Sequence, residues 1–216
     1  IHLVSQIESG GNSFSLGRID QILYPFHAAD LAAGRITTEA ARERIALLFI
    51  KTNEIWNVLE EAFIPGGEGT EGKTTQNVTV GGMNERGEDA TNALSEIGLD
   101  AFAEIRTVQP NFGVRLCSQS PSAFFEKAIG YAKDAVPLHL FNDDAIVPAL
   151  VRAGHTLEDA RNYGVVGCLE PNAQGKSFCS TFAVQFNGIK WLEFALANGT
   201  DNIFGYASGI ETGDPA

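Results

Sequence analysis

Residues 76–82 read QNVTVGG, a segment in which polar and apolar side chains alternate before two glycines. This alternation predicts a strand, and the glycine pair predicts a turn into the next element. The segment that follows predicts a helix with one apolar face formed by Ala90, Leu94, Ile97, Ala101 and Ile105. Residues 112–116, FGVRL, again predict a strand. A strand, a helix and a second strand in succession indicate parallel strands joined by a crossover helix.

The same alternation of strands and helices continues on both sides of this unit. On the N-terminal side, residues 37–63 predict a helix that Thr37 or Thr38 caps. On the C-terminal side the sequence predicts a helix from Ser120-Pro121 to about Asp134, a strand at 137–141, a helix from Asp143 or Asp144, a short helix after Thr156, an apolar run at 163–169 and a helix that ends at Asn198-Gly199. We therefore predict an α/β layer or a barrel sector that forms one domain or part of one.

Composition and charge exclude several classes of protein. Lys and Arg number 15 against 27 Asp and Glu, which gives a net charge of −12. Since no basic cluster is present to bind a phosphate backbone, we expect no nucleic-acid partner. No apolar run is long enough to cross a bilayer, so we expect no membrane partner. Three widely spaced cysteines make no disulfide framework, which favours a reducing, cytoplasmic location.

Sequence patterns for bound metals and nucleotides are missing. The four histidines are scattered without the spacing of a metal site, so we expect no metal ligands. Neither glycine pair has the spacing of a dinucleotide or phosphate-binding loop. The chain begins without methionine and ends in a turn-like string, TGDPA, so we expect it to be a piece of a larger protein.

Residues 164–171, GVVGCLEP, combine a thiol with a carboxyl group. Side chains two apart on an extended chain point the same way, so Cys168 and Glu170 are predicted to face a common space. Gly167 lets the backbone bend tightly, and Pro171 prevents a central strand from continuing. A carboxylate opposes thiolate formation, and a neutral thiol suits hydrogen-atom transfer with the carboxyl group moving a proton. The alternative is that Cys168 is an inert core residue.

Around Cys168 the sequence resembles the glycyl radical enzymes, the family of pyruvate formate-lyase and of diol and choline lyases. The matching pieces run in order along almost the whole chain: residues 6–9 (QIES), 15–18 (SLGR), 76–77 (QN), 89–92 (DATN), 141–143 (FND), 167–171 (GCLEP) and 212–215 (TGDP). The resemblance implies a barrel of ten strands with helices outside. Residues 1–216 would then be part of the pyruvate formate-lyase domain, and Cys168 would lie on a loop that enters the barrel.

The resemblance also implies a radical domain outside this chain and a set of binding partners. The Cys168 thiyl radical would be generated from a glycyl radical in a C-terminal domain beyond these 216 residues. An activating enzyme with an iron–sulfur cluster and S-adenosylmethionine would install that radical, and the chain itself would bind no cofactor. The expected partners are a small-molecule substrate, the activating enzyme, the rest of the polypeptide and a second copy in a homodimer.

By the same resemblance, Cys168 would abstract a substrate hydrogen atom and Glu170 would act as acid and base. The candidate substrate contacts are Asn12, Ser13 and Phe182. Pyruvate formate-lyase has two adjacent cysteines, and Gly167 occupies the first of those positions, which argues against formate C-acetyltransferase activity. Asn12 and Phe182 replace a histidine and an aspartate of the diol lyases. Among lyases that cleave a C–C, C–O or C–S bond, we therefore expect an arylacetate-type decarboxylase or a related lyase rather than a diol dehydratase. Formate C-acetyltransferase activity and a non-catalytic α/β scaffold are the alternatives.

Overall fold

The computed structural model describes residues 13–54, 75–176, 188–201, 203–205 and 207. The chain forms two compact units, Ile1–Cys179 and Ser180–Ala216. The elements of the first unit are β1 (Ser13–Arg18), α1 (Ile19–Ala32), α2 (Thr38–Asn53), β2 (Thr75–Gly81), α3 (Ala93–Ile105), β3 (Asn111–Leu116), α4 (Ser122–Lys133), β4 (Leu138–Asn142), α5 (Asp143–Arg152), α6 (Leu157–Arg161), β5 (Tyr163–Val166) and β6 (Glu170–Ala173). The second unit contains α7 (Gly188–Leu196).

Four of the strands form a parallel sheet in the order β1-β2-β3-β4. Val78 of β2 lies opposite Phe112 of β3, which in turn lies opposite Leu138 of β4. The strands follow one another in both sequence and space, with helices in the connections that the structure describes. The prediction of parallel strands with crossover helices is therefore confirmed.

One face of this sheet is covered by helices. Val78, Val80, Phe112 and Val114 are fully buried in a single apolar cluster with residues of α2 and α3. Phe102 of α3 stacks on Phe112 with 4.7 Å between ring centroids, and Phe49 of α2 meets Phe112 edge-on at 5.6 Å. Leu94, Ile97 and Ala101 of the predicted apolar face are buried in this cluster, whereas Ala90 precedes α3, which begins at Ala93.

Polar side chains begin several of the helices. Thr37 accepts a hydrogen bond from the Ala40 N–H, and Thr156 accepts one from the Asp159 N–H, as predicted. Ser120 was the wrong residue for the cap of α4, because Pro121 occupies the N-cap position and makes no side-chain bond. The hydroxyl of Ser120 instead accepts from the Cys117 N–H at 3.0 Å, which closes the turn after β3.

Other differences from the sequence prediction lie at the N-terminal end. The helix predicted for residues 37–63 is observed as α2, and its last predicted residues lie outside the described part of the chain. The sequence did not predict α1, which contains Pro25 in its interior. A proline in the interior of a helix usually breaks it, so the local sequence around Pro25 does not indicate a helix. Among the described residues, no helix has the length and apolarity needed to span a membrane.

Phe112→Ala is expected to lower the free energy of unfolding by about 3–5 kcal/mol, because it removes an aromatic ring that contacts two others in the core. Phe125→Ala is the control, since Phe125 is 47% exposed on α4 and its loss should change stability by less than about 0.5 kcal/mol. Urea unfolding followed by circular dichroism measures both. Equal effects of the two substitutions would contradict this packing.

Candidate active site

The second face of the sheet is polar along β2. Asn77 and Thr79 are fully buried and two residues apart, so they lie on the face opposite to Val78 and Val80. The strand is therefore buried on both sides, with helices on its apolar side and another element on its polar side. That other element is the hairpin that carries Cys168.

The hairpin consists of β5 and β6, which pair antiparallel with Val166 opposite Glu170. A three-residue turn, 167–169, joins the strands, and the Leu169 N–H donates to the Val166 carbonyl at 3.2 Å. Gly167 and Leu169 both have positive φ angles, of 61° and 96°. A positive φ reverses the chain direction within a few residues.

This turn corrects part of the sequence prediction. The run 163–169 is not one extended strand, since β5 ends at Val166 and Cys168 lies in the turn. Strand alternation therefore does not relate the directions of the Cys168 and Glu170 side chains, and their common orientation remains a prediction. Pro171 lies within β6, in a sheet of two strands where a missing N–H interrupts few bonds.

Two side chains of β2 fasten the hairpin to the sheet. The hydroxyl of Thr79 accepts from the Val165 N–H at 3.1 Å, and the amide nitrogen of Asn77 donates to the Gly167 carbonyl at 3.1 Å. The contact from Asn77 is buried and reaches the turn that holds the cysteine. Together these bonds fix the course of β5 across β2.

A buried ion pair holds the base of the hairpin. Arg115 of β3 donates two hydrogen bonds to Asp143, at 2.9 and 2.7 Å, and both side chains are fully buried. The same guanidinium donates to the Tyr163 carbonyl at 2.7 Å and lies 3.8 Å above the centre of the Tyr163 ring. The Tyr163 hydroxyl donates to Asp143 at 2.7 Å. Burial raises the pKa of Tyr163 well above its usual value, so the phenol stays protonated and donates.

Glycine is required where β2 ends beside this ion pair. A Cβ atom at Gly82 would lie 2.6 Å from both Arg115 Nε and Asp143 Oδ2, and the φ angle of Gly82 is 82°. Next to it, Arg18 of β1 donates to the Gly81 carbonyl at 3.0 Å, and Asp20 accepts from the Gly81 N–H at 2.7 Å. Burial lowers the pKa of Arg18 to about 10 and raises that of Asp20.

The structure brings the two predicted catalytic residues onto one hairpin. Cys168 is exposed at its tip as a free thiol. Glu170 is half-buried at the start of β6, and its Oε2 atom is buried without a hydrogen-bond partner among the described residues. Ser13 begins β1, but its side chain lies outside the described part, as do Asn12 and Phe182.

Sequence analysis missed the residues that support the hairpin. Thr79 was noted as a polar member of an alternating strand, and Asn77 both as such a member and as part of the matching piece 76–77, but neither was predicted to hold the hairpin. Arg115 interrupts an otherwise apolar strand, which was the available signal, because a charge inside a buried strand requires a partner. Its partner Asp143 follows 28 residues later, at the end of the next strand.

An open groove lies beside the hairpin and is distinct from the cysteine turn. Its volume is about 340 Å³, and it is lined by residues 15–17 of β1 together with residues 164–166 and 172–175 of the hairpin region. Neither Cys168 nor Glu170 lines it, and its lining residues are all uncharged. The groove therefore lies between β1 and the hairpin stem.

The sequence of this chain is similar to those of known proteins. A sequence model described as pyruvate formate lyase-like matches residues 1–216. The chain is 35% identical to a (2S)-3-sulfopropanediol dehydratase of Klebsiella oxytoca over 96% of its length, and 34% identical to a trans-4-hydroxy-L-proline dehydratase of Clostridioides difficile over 94%. It covers only 25% and 26% of those proteins, about a quarter of each.

A solved structure is also similar. A glycyl radical enzyme from Archaeoglobus fulgidus superimposes with a TM-score of 0.85 and 40% identity, over 95% of this chain and 26% of that protein. This likeness confirms the predicted fold, a sector of the α/β barrel of the pyruvate formate-lyase type.

The comparisons give no support to the expected preference for a decarboxylase. A 4-hydroxyphenylacetate decarboxylase glycyl radical subunit of Clostridioides difficile is similar, with 32% identity, but over only 79% of the chain. Both dehydratases match at higher identity over more of the chain. Asn12 and Phe182, on which that preference rested, lie outside the described residues.

Asp143→Asn is expected to destabilise the protein by about 3–5 kcal/mol, because it leaves the buried Arg115 charge without a counter-charge. The adjacent Asp144 provides the control, since it is exposed and accepts from the Ser118 N–H. Asp144→Asn keeps an acceptor there and should cost less than about 0.5 kcal/mol. The urea concentrations at the unfolding midpoints of the two variants measure these losses of stability. A small loss in Asp143→Asn would show that the ion pair does not anchor the hairpin.

Proposed function

The chain belongs to the pyruvate formate lyase-like family, and from that premise we propose that it is the cysteine-bearing segment of a glycyl radical lyase. One observation carries the proposal: the exposed Cys168 thiol lies at the tip of a hairpin whose stem and base are fixed to the sheet. The full-length protein would supply the rest of the pyruvate formate-lyase domain and a C-terminal glycine radical domain.

Cys168 is proposed to move single hydrogen atoms. A glycyl radical elsewhere in the full-length protein, installed by an activating enzyme with an iron–sulfur cluster and S-adenosylmethionine, would supply the unpaired electron. Cys168 would first give the hydrogen atom of its S–H bond to that glycyl radical, which leaves the unpaired electron on sulfur. It then takes a hydrogen atom from a substrate C–H bond, which re-forms S–H and leaves the unpaired electron on carbon. After the substrate bond breaks, the product radical takes that hydrogen back, so no oxidant is consumed.

Glu170 is proposed to move the proton. Its position at the start of β6, two residues after Cys168, places its carboxyl group on the same hairpin. The Oε2 atom is buried and has no hydrogen-bond partner among the described residues, so its lone pairs are not used by those residues. General acid–base catalysis by such a group contributes about 10²- to 10⁴-fold to a rate.

The proposed substrate is a small hydroxylated compound that loses water from a carbon next to the radical. Support comes from the two dehydratases, which are named for substrates that carry hydroxyl groups. An arylacetate decarboxylase is the second candidate, since Phe182 stands where the diol lyases have a carboxylate and one relative is a decarboxylase subunit. Acyl transfer is disfavoured because Gly167 replaces one of two adjacent cysteines.

Cys168→Ala in the activated full-length protein is expected to abolish turnover while the glycyl radical signal in electron paramagnetic resonance remains. Glu170→Gln should lower kcat by about 10²- to 10⁴-fold. Cys117 offers a matched control, because it is a free thiol outside the hairpin, near the Ser120 hydroxyl. Cys117→Ala should keep full turnover. Full activity of Cys168→Ala would leave a non-catalytic scaffold as the better interpretation.

A substrate panel tests the reaction class. The activated full-length protein is incubated without oxygen with (2S)-3-sulfopropanediol, trans-4-hydroxy-L-proline, isethionate and 4-hydroxyphenylacetate, and products are followed by mass spectrometry. We expect loss of water from a hydroxylated compound. Turnover of 4-hydroxyphenylacetate alone would favour the decarboxylase. A separate incubation with pyruvate and coenzyme A tests acyl transfer, which formate release would favour.

A further inference from the structure

Two neighbouring residues of β2 carry buried amides with the same incomplete bonding. Gln76 and Asn77 are both fully buried. The amide nitrogen of Gln76 donates to the Thr52 carbonyl in α2, and that of Asn77 donates to the Gly167 carbonyl in the cysteine turn. Neither amide oxygen has a hydrogen-bond partner among the described residues. The two residues differ in the element that they bind: Gln76 binds helix α2, and Asn77 binds the cysteine turn.

An unpartnered amide oxygen makes asparagine a poor choice at position 77 for stability alone. A buried acceptor loses its bonds to water and gains nothing in return, whereas an apolar side chain of similar volume carries no such cost. The hydrogen bond that the amide nitrogen of Asn77 donates therefore explains why an asparagine occupies this position. That donor acts on the Gly167 carbonyl, which belongs to the peptide group that links Gly167 to Cys168.

The contacts that Thr79 and Arg115 make with the hairpin lie further along the chain from Cys168. Thr79 binds the Val165 N–H in the stem, and Arg115 binds the Tyr163 carbonyl at the base. Asn77 binds within the turn itself, at the residue before Cys168. Since Gly167 and Leu169 both have positive φ angles, the turn is held away from the commonest backbone conformations, and a change at the Gly167 peptide moves the cysteine directly.

We propose that Asn77 is a positioning residue, which places the Cys168 thiol for hydrogen transfer by fixing the Gly167 carbonyl. This inference rests on the proposed function, because it assigns Asn77 a role in the reaction of Cys168. Misplacement of a reacting group by about 1 Å can cost about 10²-fold in rate. Asn77 need not contact the substrate, so its loss should act on kcat and leave KM nearly unchanged.

The test compares Asn77→Leu with Gln76→Met in the activated full-length protein. Each substitution removes a buried amide and replaces it with an unbranched or equally branched apolar side chain of comparable length on the same strand. Glycyl radical spins are counted by electron paramagnetic resonance, and kcat per spin and KM are measured with the panel compound that the unsubstituted protein converts. Asn77→Leu should lower kcat per spin at least about tenfold with KM within about twofold, as expected for a lost positioning contact. Gln76→Met should keep kcat per spin within about twofold.

A merely structural role for Asn77 gives a different result. Both variants would then yield less folded, radical-bearing protein, but kcat per spin would stay unchanged, and that result overturns the inference. Asn77→Ala is measured in parallel, so that the comparison holds even where leucine disturbs folding. Inactive Cys168→Ala together with fully active Asn77→Leu and Asn77→Ala overturns the positioning role alone. Active Cys168→Ala overturns the proposed function, and the positioning role with it.

Discussion

The structure depends on the neutralisation of one buried charge. The guanidinium of Arg115 carries a positive charge and has no access to solvent, so its surroundings must supply a counter-charge and acceptors. Asp143 at the end of β4 supplies the counter-charge, and the carbonyls of Tyr163 and Arg161 accept the remaining bonds. Because these partners lie on successive elements, the ion pair fixes where β4 ends and where the hairpin begins.

The placement of the thiol follows from the two-sided burial of β2. Val78 and Val80 face the helices, whereas Asn77 and Thr79 face the hairpin and bind its backbone. A strand covered by helices on both faces is usually apolar throughout, but here one cover is a hairpin that presents unpaired peptide groups. Polar residues on that face satisfy those groups, and the result is a rigid support for a short turn. A rigid support is what hydrogen transfer over a short distance requires.

The sequence predicted the elements whose pattern reflects local packing. Strand β2 and helix α3 could be predicted from the spacing of their apolar residues, because these residues pack in the same core. Helix α1 was not predicted, because Pro25 argues locally against it. Gly167 indicated a bend before Cys168, but the residues after it were predicted to be extended, because a positive φ is unusual for the non-glycine Leu169. Cys168 and Glu170 were predicted from a short contiguous motif, and their catalytic roles are proposals. The bond from Asn77 joins residues 90 positions apart, and no local pattern encodes it.

A crystal structure of the full-length protein with its substrate bound tests the central claim most directly. The account predicts that the hairpin keeps its bonds to β2 and that Cys168 Sγ lies about 3–3.5 Å from the carbon that loses hydrogen. It also predicts a Glu170 carboxyl oxygen within about 2.6–3.2 Å of a substrate hydroxyl. A substrate bound elsewhere in the protein, with the Cys168 thiol facing away from it, would contradict the account.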